Sequence, residues 1–186
     1  MPFIPPMLCT RLHDPARLAG RHYIAEPKLD GRRAQVHIQG GRTAHCYSRL
    51  GLELLRHPGF AWLRDIAWPV GSAVLDGEAV AGDGHEGIQS VFTERNKPRG
   101  ALALIFFDLL TLDRQSVMRE RWTSRRKRPE DVFDAVTLPN VSVVPVTEDA
   151  AQLWDTWVAV WSGEGIVLKE PASIYRLGES WSERTR

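Results

Sequence analysis

Short alternating or apolar runs at His22–Glu26, Ala34–Ile38 and Thr43–Tyr47 read as strands, because a half-buried strand repeats its apolar face every second residue. Gly40-Gly41 between the last two is a hairpin signal, since tight hairpin turns use the positive φ angles that glycine adopts without strain. Longer apolar runs at Ser72–Ala81 and Ala101–Leu110, with shorter ones at Val141–Val146 and Gly165–Leu168, complete the strand set. Helical spacing interleaves irregularly at Gly59–Ile66, at Gly87–Arg95 and, despite Pro129, at Ser124–Val136. It is clearest at Asp149–Ser162, where Asp149 suits an N-cap with Gln152 three residues on, and Gly163 suits the C-terminal cap. Leu153, Trp154, Trp157, Val158 and Trp161 form a stripe on that helix and are expected to pack in the core. Hairpin-joined strands with irregularly placed helices predict an α+β fold of mainly antiparallel sheets, not a regular βαβ series. At 186 residues the chain is expected to form one domain, 1–186.

Composition narrows the class. With 43% hydrophobic and 25% charged residues the chain is neither disordered nor fibrous. The apolar run Ala101–Phe107 stops at Asp108, far short of a membrane span, and Pro5-Pro6 interrupt the place a secretory signal would use. A soluble cytoplasmic protein with no membrane partner is the expectation. Cys9 and Cys46 make no disulfide framework, and the six histidines show no zinc spacing.

Charge says more by its distribution than by its net value of +1. Six basic residues between Arg119 and Arg128 face Glu120 alone, a run that suits a solvated helix face as well as a phosphate-binding one. Twenty of the 24 basic residues are arginines; the four lysines are Lys28, Lys97, Lys127 and Lys169. Arginine stays protonated and binds phosphate but is no nucleophile, so a nucleophilic cation has to be one of those lysines. Lys97 and Lys127 are expected at the surface.

Five compact segments gather the residues that can carry chemistry. Glu26-Pro-Lys-Leu-Asp-Gly-Arg-Arg33 joins two predicted strands, with Asp30-Gly31 as a turn that would let backbone come close to a ligand. Ser48-Arg49-Leu50-Gly51 follows a strand. Asp76-Gly77-Glu78 sets two carboxylates inside an apolar strand, where burial costs several kcal/mol unless partners or a metal compensate. Phe107-Asp108 puts an aromatic and an acid at the end of another, and Glu164-Gly-Ile-Val-Leu-Lys169 brackets a short strand with opposite charges.

In that order and spacing the series resembles the motifs of the covalent nucleotidyltransferases, most closely the adenylation domain of ATP-dependent DNA ligases. Lys28, Asp30, Gly31 and Arg33 match the family's Lys-x-Asp-Gly-x-Arg, and Ser48, Arg49 and Gly51 its second motif. Asp76, Gly77 and Glu78 match the third, Phe107-Asp108 the aromatic one, and Glu164, Gly165 and Lys169 the fourth. The match runs from about Pro6 to Tyr175. The resemblance implies two mainly antiparallel sheets flanked by helices and framing a nucleotide cleft, ATP-grasp-like. It implies ATP and Mg²⁺ (or Mn²⁺) as cofactors and nicked double-stranded DNA as partner, in repair, replication or recombination.

The resemblance also assigns roles. An amine with a pKa near 10.4 is deprotonated in only about one molecule in 2,500 at pH 7, so a nucleophilic lysine needs cations or a metal nearby. Lys28 would attack the ATP α-phosphate, with Arg33, Lys169 and the divalent ion close by. Lys169 would meet the phosphoryl oxygens, and Glu164 and Glu78 would hold the metal, Glu78 alternatively the ribose. Phe107 would stack on adenine, Glu26 would accept from its exocyclic amine, and Arg49 would lie near the ribose and the phosphate of the DNA end. Gln89, Arg95 and Arg125-Arg126 fall where ligases often touch DNA, but surface solvation explains each equally well.

The C-terminus departs from the family pattern. Tyr175-Arg176-Leu177-Gly178 fits the approach to a final lysine-rich motif, which Arg184 and Arg186 match only loosely, and no OB-fold domain fits before residue 186. The expectation is an adenylation domain that is an excised catalytic domain, a natural fragment, or a minimal protein that borrows a separate OB-fold or repair partner. An RNA ligase or GTP-using capping enzyme is the same-class alternative, and a non-catalytic nucleotide- or DNA-end-binding module the alternative of another class.

Overall fold

The computed structural model describes residues 2–12, 20–81, 102–134 and 138–178. The Gly87–Arg95 helix, with Gln89 and Arg95, lies outside these residues, as do Lys97, Arg184 and Arg186. Eight strands are present among the described residues: β1 (Ile24–Pro27), β2 (Arg32–Gln39), β3 (Arg42–Tyr47), β4 (Ser72–Val80), β5 (Ala103–Leu112), β6 (Gln115–Ser116), β7 (Val141–Val143) and β8 (Ile166–Lys169). The large sheet runs β3-β2-β4-β5-β6, with β7 parallel to β5; β1 and β8 form a separate antiparallel pair. The α+β, mainly antiparallel reading holds.

Alternation along β2 and β4 gives the large sheet two unlike faces. Ala34, Val36 and Ile38 join Leu75 and Ala79 in the main core, covered by 3₁₀ turns at Leu54–Arg56 and Pro58–Asp65 through Leu54, Leu55, Phe60 and Leu63. Each large side chain buried there contributes roughly 1.5–3 kcal/mol. The predicted Gly59–Ile66 helix is the second of these 3₁₀ turns, entered at Pro58 with the His57 ring accepting from Gly59 N at 3.3 Å. On the other face the register sets Arg33 against Glu78 and Gln35 against Asp76.

A bulge re-aims one residue of β5. Asp108 lies opposite Asp76 and Phe106 opposite Gly77, so Phe107 has no partner across the β4–β5 pair. Phe106 packs in the core against Trp68, and Phe107 turns toward Arg33 of β2. Phe107-Asp108 was expected to end its strand; instead β5 continues to Leu112. Gly77 permits this crowding, because a Cβ there would meet Ile105 O at 2.6 Å and the Phe106 ring at 2.8 Å.

Three further expectations need correction. Arg125 and Arg126, on the helix Trp122–Asp134, are buried at 1% and 5% exposure rather than solvated. Asp108 takes the Arg125 fork in two hydrogen bonds of 2.7 and 2.9 Å; Arg126 bonds Glu130 at 2.7 Å and also donates to Val144 O. Burial of Arg125 is offset by dedicated acceptors, whereas Arg126 keeps one buried nitrogen, Nη1, without a partner among the described residues, and a run of basic letters carries no sign of either.

The tryptophan stripe is not core. Asp149 caps a single α turn, Ala150–Leu153, accepting from Gln152 N at 2.8 Å, and the chain then widens to π-helical geometry over Trp154–Val160. The wider turn breaks the 3.6-residue spacing that the stripe needs, leaving Trp154 49% and Trp161 72% exposed. The left-handed residue at its end is Ser162 (φ 56°), not Gly163. Gly163 is required for another reason: a Cβ there would collide with the Trp157 indole. Among the described residues no helix is long and apolar enough to cross a membrane.

Candidate nucleotide-binding cleft

Pairing of β1 with β8 builds one wall. It sets Glu26 opposite Val167 and Ile24 opposite Lys169, and Lys28 N extends the ladder to Gly165 O at 2.9 Å. The Lys28 ammonium forms an ion pair with Glu164, both side chains being about half exposed at the mouth of the cleft. Deeper in, Lys169 Nζ reaches Glu26 Oε2 at 2.8 Å and donates to Phe107 O at 3.2 Å. That second bond ties the small sheet to the large one.

The large sheet supplies the facing wall. The Phe107 ring has the Arg33 guanidinium carbon 4.6 Å and the Lys169 ammonium 4.8 Å from its centroid, both within cation–π range. Arg33 is locked by Asp76, which accepts from Nε at 2.6 Å and from Nη2 at 2.5 Å. Tyr175 adds a third bond to Asp76, its hydroxyl donating at 2.6 Å to Oδ2. The expected compensation for the buried Asp76 is thereby found, in one arginine and one tyrosine.

Burial acts on two acids of the cleft in the same direction. Burial lifts the Glu78 carboxyl to about 7; Arg33 and Lys28 oppose the shift, while Asp76 and Glu164 add to it. Burial also raises Glu26, by more than the Lys169 charge draws it down, and Glu26 Oε1 is buried without a hydrogen-bond partner. For Arg33, burial works against the charged form but Asp76 outweighs it, so the guanidinium stays protonated.

Most of the residues singled out in the sequence therefore converge: Lys28, Glu164, Glu26, Lys169, Phe107, Arg33 and Glu78. Three ion pairs run through this group, each cation holding its own carboxylate: Lys28 with Glu164, Arg33 with Asp76 and Lys169 with Glu26. Gly31 acts differently from expectation, its close approach being to β4, where a Cβ would collide with Ala79 O. Arg49 stands apart on an exposed turn fixed by Ser48, whose N bonds Leu52 O at 2.9 Å and whose Oγ accepts from Leu52 N at 3.1 Å. Lys127 is exposed, as expected. Sequence reasoning gave Tyr175 and Met7 no role in the cleft; a tyrosine in a polar segment offers no signal of the aspartate it will meet. Among the described residues no group of three or more His, Cys, Asp or Glu could hold a metal alone.

Comparison with known proteins bears on the whole of this arrangement. The DNA ligase of Pyrobaculum neutrophilum is 31% identical over 190 residues, covering 93% of this chain and 32% of that protein. The ligase domain of Mycobacterium tuberculosis LigD superposes with a TM-score of 0.76 at 27% identity, over 94% of this chain and 57% of that one. A mycobacterial DNA ligase D complexed with ATP and MES gives 0.73 at 26% identity, over 94% and 56%. The chain spans about a third of the length of the curated relatives it matches. The family described as the ATP dependent DNA ligase domain matches residues 6–184, nearly end to end, and this chain belongs to it as an adenylation (nucleotidyltransferase) domain.

Proposed function

We propose that this chain accepts AMP from ATP on Lys28 and passes it to the 5′-phosphate at a nick in double-stranded DNA. In the first step the Lys28 ammonium gives up a proton to solvent and the neutral amine attacks the α-phosphate; an N–P bond forms, the bond to the bridging oxygen breaks, pyrophosphate leaves, and the nitrogen sheds a second proton. In the second, a 5′-phosphate oxygen displaces lysine, and a neighbouring 3′-hydroxyl can then displace AMP to seal the strand. The observation that carries the reading is the pairing of Lys28 with Glu164 at the cleft mouth, with Glu26, Lys169, Phe107 and Glu78 gathered behind them.

Each side chain has a task that its surroundings support. Glu26 Oε1, buried and unpartnered, suits the exocyclic amine of adenine, and the Phe107 face suits its ring. Lys169 and Arg33 supply fixed positive charge for phosphate and ribose oxygens. Exposed Arg49 suits the DNA end. Glu78 and Glu164 suit a Mg²⁺ ion, which keeps several waters and takes one or two carboxylates together with substrate phosphates. Such an ion would screen charge on the phosphates and would oppose the burial and neighbouring carboxylates that raise Glu78.

Intact-mass spectrometry after incubation with ATP and Mg²⁺ tests the proposal. One AMP should add to wild type and map to Lys28, and both Lys28→Ala and Lys28→Arg should stay unlabelled, guanidinium being no usable nucleophile. Label on Lys97 or Lys127, or a wild type that binds ATP yet never acquires AMP, would overturn it; the latter result defines a binding module.

A further inference from the structure

Tyr175 lies outside every segment to which chemistry has been assigned, yet it closes a ring of hydrogen bonds around Arg33. Its hydroxyl donates to Asp76 Oδ2 at 2.6 Å and accepts from Met7 N at 2.9 Å. Met7 O in turn accepts from Arg33 Nη2 at 3.1 Å, and the same Nη2 donates to Asp76 Oδ2 at 2.5 Å. Four groups from four parts of the chain thus satisfy one another: β2, β4, the N-terminal segment and the segment after β8. Arg176 N adds a contact to Met7 Sδ at 3.4 Å.

The ring is largely buried, with Asp76 at 0% and Tyr175 at 6% exposure. Tyr175 is buried, packed with Val74 and Leu110, with Ile4, Met7 and Met118 at the edge. Burial and the Asp76 carboxylate hold its phenol well above the usual range, so the hydroxyl keeps its proton to donate. The segment carrying it is pinned by Tyr175 N to Met118 O at 2.8 Å and by Trp122 N to Ser173 O at 2.8 Å. Arg125, itself forked onto Asp108, lies with its guanidinium carbon 5.9 Å from the Tyr175 ring centroid.

Arg33 has further freedom that Asp76 alone does not remove. Two carboxylate oxygens fix the plane of the guanidinium fork, but a carboxylate without other partners can rotate and carry the fork with it. Tyr175 and Met7 together block that rotation, Tyr175 by holding Oδ2 and Met7 by holding Nη2. What they protect is the 4.6 Å approach of Arg33 to Phe107, the wall offered to the base.

We propose that Tyr175 is a positioning residue for the nucleotide cleft, acting through Asp76 to hold Arg33 against Phe107; this rests on the reading of the cleft as an ATP site. The closed ring Arg33–Asp76–Tyr175–Met7 carries the proposal. Tyr175→Phe keeps the ring packing and removes only the hydroxyl. Loss of one partner in a buried charged network corresponds to about a tenfold change in an equilibrium, so ATP should bind about tenfold more weakly. A Val117→Ala variant, with a comparable defect in the main core, should lower the melting temperature and leave ATP affinity within about twofold of wild type.

Two measurements separate positioning from simple destabilisation. In a double-mutant cycle, Tyr175→Phe should weaken ATP binding in wild type but have little further effect in an Arg33→Lys background, because the two act through one contact. In the nucleotide-free protein, hydrogen exchange at Arg33 Nε, assigned by its loss in Arg33→Lys, should accelerate at least about tenfold in Tyr175→Phe. Independent effects in the cycle, or Nε exchange within about twofold of wild type, would overturn the proposal. Failure of wild type to bind ATP would sink the nucleotide reading, and the exchange measurement would still decide whether Tyr175 positions Arg33.

Discussion

Replacing Arg125 by methionine keeps most of the side chain's length and removes its charge and its fork. In the folded protein Arg125 makes two bonds to Asp108, one to Glu120 O at 2.6 Å and one to Ser173 O at 3.2 Å. Without it the Asp108 carboxylate, 5% exposed, keeps among the described residues the bond from Leu109 N at 2.9 Å. Breaking a buried pair from one side typically costs about 3–5 kcal/mol, because the remaining charge is left uncompensated. For a chain of this size each kcal/mol moves the melting temperature by roughly 2–4 °C, so a fall of about 6–20 °C is expected. Urea unfolding should show the same loss as a lower midpoint at unchanged slope. Lys127→Met, exposed on the same helix, should change stability by no more than about 0.5 kcal/mol. Adding Asp108→Asn to Arg125→Met should recover part of the loss by discharging the orphaned partner. A loss below about 1 kcal/mol, with weaker nicked-DNA binding and a shallower salt dependence instead, would refute the structural role and return Arg125 to the phosphate-binding reading.

Two other predictions concern the cleft. Glu78 has a folded value of about 7, raised from about 4.3 in the unfolded chain, so its protonated form is favoured by folding. Its stabilising contribution is full below about pH 4 and is lost as pH rises through about 7, a slope of about 2 kcal/mol after allowance for partial solvent screening. Glu78→Gln should flatten that slope in the metal-free protein, and identical pH profiles for the two proteins would contradict it. Base choice is the second: with Glu26 Oε1 as an acceptor, GTP should label or bind roughly tenfold to several hundredfold less well than ATP, since guanine offers a carbonyl where adenine offers an amine. Equal use of GTP would move the assignment toward a capping-type enzyme.

Sequence made the cleft legible where chemistry restricts the residue type. Among the cations only a lysine can act as a nucleophile, and only four are available; carboxylates in an apolar strand announce that something compensates them. What the strand pattern does not encode is the partner. Asp76 is satisfied by Arg33, 43 residues away, and by Tyr175, 99 residues away, and neither separation leaves a local trace. The Arg119–Arg128 run illustrates the same limit from the other side: a buried, forked arginine and a solvated one are spelled alike, and only the position of Asp108 across the helix–sheet contact distinguishes them.

Geometry below the level of periodicity was equally hidden. The bulge that frees Phe107 depends on one extra residue in β5, and two apolar phenylalanines in succession carry no sign of which will face the core. The π-helical turn likewise defeats a pattern read at 3.6 residues, so a stripe that looks buried on paper is half in solvent. Both irregularities flank the proposed chemistry, Phe107 within the cleft and the π-helix immediately before Glu164. Local rules tend to fail where backbone must aim a side chain at something other than the protein's own core. By that argument the residues to suspect first in such a chain are those whose local pattern is broken at no visible gain in packing, and Phe107, facing two cations instead of the core, is the clearest of them.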